Sequence, residues 1–160
     1  MPDREGSHLL VLARDPQGYG NLARAVSEAQ MAGREKGKPV FQLSRLAELH
    51  ENRWAVLTGC RKGAVPMALV DGGPAAGQRK LQDLVAVFGR DNVFVELWDH
   101  GNPLDSARND ALVELAARAG VGVLATNNVH YAMPSRRPLA TAMAAVRARR
   151  SLDEIDGWLD

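Results

Sequence analysis

Short, almost unbroken apolar runs alternate along this chain with longer stretches whose apolar residues recur every three or four positions. Residues 8–13 (HLLVLA) form the first such run, which predicts a buried parallel strand. Residues 15–18 then read as a turn. Leu22, Ala25, Val26, Ala29 and Met31 predict a helix over 19–32, with Gly33 as its C-cap. Ser44 is placed to cap a short helix through Leu49. A second strand is predicted over 54–58, running into Thr58, Gly59 and Cys60. A short helix over 63–70, with Pro66 near its first turn, is broken by Gly72, Gly73 and Pro74. Another helix over 75–88 ends at Gly89, and residues 93–97 give the third strand. A helix over 105–119 stops at Gly120, and residues 121–125 give the fourth strand. The tail carries two further helices, 138–149 and 151–158, the second opening on a Ser151 to Glu154 capping-box pattern. Strand and helix in this alternation predict an α/β domain with a parallel sheet, and periodicity alone leaves open whether that sheet is open or curled into a barrel.

Composition narrows the picture. With 160 residues, 46% of them hydrophobic, the chain is long enough for one compact domain. A net charge of +1 supplies neither a basic channel for a nucleic acid nor an acidic trap, so a polymerase catalytic domain is not expected here. Cys60 is the single cysteine, which excludes an intrachain disulfide and fits a reducing cytosol. The opening MPDREGS has no apolar core of a signal peptide, and no apolar run approaches the ~20 residues needed to span a bilayer. A cytoplasmic protein with no membrane partner is the expectation.

Candidate chemistry sits at the carboxyl ends of the predicted strands, where parallel α/β folds keep their active sites. Cys60 follows the second strand, Asp99 and His100 follow the third, and Asn127, Asn128 and His130 follow the fourth. His8 is the exception, standing at the start of its run. A thiolate, imidazoles and a carboxylate converging there suit Zn²⁺ or Mn²⁺. Each residue also has a plainer reading. A lone histidine beside a strand is usually a hydrogen-bonded structural group, and a lone cysteine a small buried hydrophobe. Glu96 should point opposite to Val95 and Leu97, towards solvent or a salt bridge. His100 lies in turn chemistry, and His50 ends a short helix whose C-terminus favours a basic group. There is no Gly-rich phosphate loop, HExxH, CxxC or nucleophile elbow.

Several segments, in order, resemble the PHP (polymerase and histidinol phosphatase) domain at the N-terminus of bacterial C-family DNA polymerase alpha subunits. Residues 8–15 with Gly18, Tyr19, Gly20, Asn21 and Leu22 resemble that family's "HLLLLA…GYxNL" segment. Leu57, Thr58, Gly59 and Cys60 with Gly63 resemble "LTGCxxG", and residues 125–131 resemble "ATNDVHY". Residues 94–97 and 109–116 match the strand and helix between them, and the tail over 144–158 is most similar to the error-prone branch.

The resemblance implies an incomplete PHP-type distorted (β/α)7 barrel, of which this chain holds the C-terminal part with parallel strands and outer helices. Residues 1–135 would be the partial PHP domain and 136–160 a helical segment leading towards the polymerase region. By the same resemblance His8, Cys60 and His130 fall on metal-ligand positions of the barrel rim. Asn128 falls where the family has an aspartate, and a neutral amide oxygen is the weaker ligand. The family's opening His-x-His segment, its following Asp and His, and its glutamate would precede His8, where only residues 1–7 stand. The implied function is that of a fragment of an error-prone polymerase that copies DNA past lesions, serving as a scaffold. Mg²⁺ would belong to the parent polymerase only, and Zn²⁺ or Mn²⁺ to a rim with part of its ligands. DNA and replication or repair proteins would be partners through the parent. The alternative is a metal-dependent phosphoesterase or 3′–5′ exonuclease acting on DNA ends. Uncovered strand edges and an uncovered core face predict self-association of the fragment.

Overall fold

A computed structural model describes residues 7–33, 35, 38–99, 103–127 and 129–155. In chain order the elements are β1 (Leu10–Ala13), α1 (Pro16–Ala32), α2 (Leu43–His50), β2 (Trp54–Leu57), α3 (Ala64–Phe88), β3 (Val93–Leu97), α4 (Pro103–Ala119), β4 (Gly122–Ala125) and α5 (Arg137–Ala148). The strands form one sheet in the order β1-β2-β3-β4. β2, β3 and β4 are parallel, joined by the crossover helices α3 and α4, as the alternation of patterns predicted.

β1 corrects one expectation. It pairs antiparallel with β2, with Leu10 opposite Leu57 and Ala13 opposite Trp54, and it lies at the sheet edge. An apolar run of this length carries no information on direction, and only alternate residues are covered. Leu9, Val11 and Ala13 pack on the core, whereas Leu10 and Leu12 are 43% and 49% exposed.

The two faces of the sheet have different fates. Trp54, Val56, Val93 and Val95 face the helices and join Leu81, Leu84 and Phe88 of α3 and Leu112, Leu115 and Ala116 of α4 in one buried cluster. Each such side chain contributes about 1.5–3 kcal/mol by leaving water, so this cluster holds the domain together. The opposite face carries Leu10, Leu12, Leu57, Phe94 and Leu124; Leu57 is buried, whereas Leu10, Leu12 and Leu124 are substantially exposed.

Helix boundaries follow local chemistry. Asp15, read as part of a turn, is the N-cap of α1 and accepts a hydrogen bond from Gly18 N at 2.7 Å, with Pro16 at the first helical position. Gly33 is the C-cap as expected, in extended conformation rather than left-handed. Ser44 does not cap α2: the N-cap is Gln42, which makes no side-chain cap bond, and Ser44 stands inside the helix. The break at Gly73 is real, with φ 72° and ψ −174° between two helical halves. Ser151 does bond Glu154, through both its amide and its hydroxyl at 3.1 Å, but residues 151–155 form a turn rather than the predicted helix. The remainder of that helix, 156–158, lies outside the described residues. Among the described residues no helix is long and apolar enough to cross a membrane.

Candidate functional site

Parallel pairing brings the segments after β2, β3 and β4 to one edge of the sheet. β1 runs the other way, so its beginning lies at that same edge. His8 therefore reaches the strand-end rim because its strand is reversed, which accounts for its odd position in the sequence.

The loop after β2 clasps His8. The amide of His8 donates to Lys62 O at 2.8 Å, and His8 bridges to Gly63 as a parallel partner. Within the loop, Gly63 N donates to Cys60 O at 2.7 Å. Gly59 has φ 80°, and a Cβ on Gly63 would collide with the carbonyl of Thr58, so both glycines are required by the backbone path. The result places Cys60 Sγ 3.8 Å from His8 Nδ1. Two ligands of a tetrahedral zinc, one thiolate and one imidazole at ordinary bond lengths, stand about 3.6 Å apart. The pair thus fits two corners of such a site.

His130 lies beyond β4 and is exposed. Among the described residues no three His, Cys, Asp or Glu side chains come together as a metal-holding group, so His130 does not join the pair in one. Asn128 and His100 lie outside the described residues.

Glu96 departs from its expected solvent-facing or ion-paired role. Its residue is 4% exposed, and no described ion pair uses it. Its amide donates to Thr58 Oγ1 at 3.0 Å, and its Oε1 accepts from Thr126 Oγ1 at 2.6 Å. Oε2 is buried with no hydrogen-bond partner among the described residues. Both threonines stand one residue past a parallel strand, where hydroxyls can turn inward across the sheet. Sequence reasoning missed them; a threonine just past each strand that flanks the one carrying the carboxylate was the available signal.

His50 proves structural. It is buried at the end of α2, edge-on to Trp54 and Phe88 with ring centroids 5.9 Å and 5.3 Å away. Nδ1 accepts from Asn52 N at 3.3 Å. Burial pushes the imidazole below its ordinary value of 6.5, with the Arg14 charge a smaller contribution in the same direction. Asp15 is also lowered, chiefly by the bond from Gly18 N and then by Arg53.

A model of the PHP domain family matches residues 1–100. The chain is 57% identical over 158 residues to the error-prone DNA polymerase of Mycolicibacterium paratuberculosis, covering 99% of this chain and 14% of that protein. The error-prone DNA polymerase of Mycobacterium tuberculosis is 56% identical over the same shares. More distantly, the DNA polymerase III subunit alpha of Thermus aquaticus is 30% identical over 151 residues, covering 94% of this chain and 12% of that protein. The chain spans about one seventh of the length of the error-prone relatives.

Proposed function

Because the chain belongs to the PHP domain family, we propose that it forms part of the PHP module of an error-prone DNA polymerase and acts there as a structural scaffold. The observation that carries this reading is identity above half across nearly the whole chain to proteins named error-prone DNA polymerase. In the parent, DNA synthesis past lesions would use Mg²⁺ at carboxylates of a catalytic region outside these 160 residues. DNA and the replication and repair proteins would be its partners, in the cytoplasm. The sheet would be one arc of a distorted (β/α)7 barrel, with residues 1–135 in that module and 136–160 leading away from it. The exposed Leu10, Leu12 and Leu124 support this reading, since a barrel turns such a face inward.

The spacing of His8 and Cys60 supports a second role for the rim. The thiolate favours Zn²⁺ over Mn²⁺. By the family resemblance His130 and Asn128 stand at the other ligand positions, and with an amide in place of a carboxylate an ion there would be held weakly. A bound metal would lower the pKa of a water and polarise a phosphodiester. The protein's own part is to hold the thiol and imidazole at fixed spacing through the Gly59–Gly63 loop. A 3′–5′ exonuclease or phosphoesterase acting on DNA ends is therefore the alternative function.

The scaffold reading is tested in the full-length polymerase with Leu12→Asp on the open sheet face. A lower melting temperature, with primer extension lost on milder heating than in wild type, is expected. An unchanged melting temperature would mean that this face supports nothing in the polymerase.

A further inference from the structure

Glu96 stands where the pairing of β3 with both of its neighbours gives out. On the β2 side Thr58 N donates to Phe94 O at 3.1 Å. The chain then turns away at Gly59, with φ 80°, and a side chain makes the next rung: Glu96 N donates to Thr58 Oγ1 at 3.0 Å. On the β4 side Thr126 N donates to Leu97 O at 2.9 Å, and the Thr126 hydroxyl donates to Glu96 Oε1 at 2.6 Å. Residue 96 thus holds one threonine with its backbone and the other with its side chain.

A carboxyl group is a costly choice at this place. Glu96 shares a sheet face with Leu57, Phe94 and Leu124, is 4% exposed, and buries Oε2 without a partner among the described residues. Packing alone would be served better by leucine, because a buried polar atom without a hydrogen bond is destabilising. What the carboxyl group adds is direction. A hydrogen bond fixes the distance and angle between its partners, and apolar contact does not.

We propose that Glu96 is a positioning residue for the strand-end rim, and that the belt Thr58–Glu96–Thr126 sets the spacing between the loops after β2 and β4. Thr58 lies two residues before Cys60, and Thr126 lies four before His130. Over so few peptide units a displaced threonine displaces the side chains that follow it. One belt therefore registers the loop that clasps His8 against the loop that carries His130. That these side chains serve a metal rests on the reading of the rim given above; the spacing of their loops does not.

Cys60 is the single cysteine, so a nitroxide on its thiol marks one loop of the 160-residue chain, and paramagnetic broadening of the His130 and Tyr131 amide resonances reads its distance to the other. No metal is added, so a rim that takes up no ion leaves the test intact. Thr126→Val and Glu96→Leu should each change that broadening about twofold or more, while the amides of Leu84 and Leu112 in the core keep their wild-type resonances. Thr126→Ser and Glu96→Gln, which keep the donor and the acceptor, should restore the wild-type broadening, a rescue that separates positioning from packing. Glu96→Leu puts an apolar side chain on an apolar face, so it decides the matter if Thr126→Val unfolds the chain. Wild-type broadening in a folded Glu96→Leu chain, or no rescue by the two conservative variants, would overturn the proposal.

Discussion

Glu96 is a buried side chain held on the sheet by Thr126, which donates to one carboxyl oxygen, while the other oxygen is buried without a partner among the described residues. Removing that donor leaves a carboxylate with still less to replace water. Thr126→Val should therefore destabilise the domain by about 1–3 kcal/mol in urea unfolding. Glu96→Leu combined with Thr126→Val should cost less than the sum of the single changes, because both remove the same bond. Additive costs would show that the contact contributes nothing. His50 gives a pH signature of known sign. Its folded pKa lies below 6.5, so above that pH both folded and unfolded forms are neutral and its contribution is intact. As pH falls, the unfolded chain takes the proton first, and stability is lost progressively. Urea midpoints between about pH 7 and pH 5 should fall in wild type and fall less in His50→Leu.

Glycine at element boundaries acts through two different mechanisms. A Cβ at Gly73 would meet nothing within 4 Å, yet φ 72° with ψ −174° is a conformation for glycine alone. Gly73→Ala should cost about 1–3 kcal/mol through backbone strain, with no clash to relieve. A Cβ at Gly18 would instead lie 2.6 Å from Arg53 O, so Gly18→Ala should push α1 off the start of β2 and disturb the bond from Trp54 Nε1 to Gly18 O. Equal unfolding midpoints for wild type and both variants would refute this account. Elements of this kind were legible in the sequence because their signals are local. The strands over 54–57 and 93–97, the break at Gly73 and the stops at Gly89 and Gly120 all follow from apolar runs and glycine. Strand direction, which puts His8 on the rim, depends on pairing partners and leaves no mark in residues 8–13. The burial of Glu96 escaped for the same reason: its cover comes from threonines 38 and 30 residues away in sequence. The pairing of His8 with Cys60 came from family resemblance rather than from spacing.

At the scale of the whole molecule, one sheet face carries the core and the other presents Leu10, Leu12 and Leu124. The 160-residue chain by itself should therefore self-associate, and Leu10→Lys with Leu12→Lys should shift sedimentation towards monomer. A wild-type monomer at all concentrations would refute this. The rim brings together a thiol and an imidazole 3.8 Å apart, with no three-donor group among the described residues. The scaffold role is tested most directly by incubating the chain with a 3′-labelled DNA in the presence of zinc or manganese. Label release no faster than with metal alone is predicted, for wild type and Cys60→Ala alike. Release by wild type that disappears in Cys60→Ala would contradict it and make the rim a nuclease.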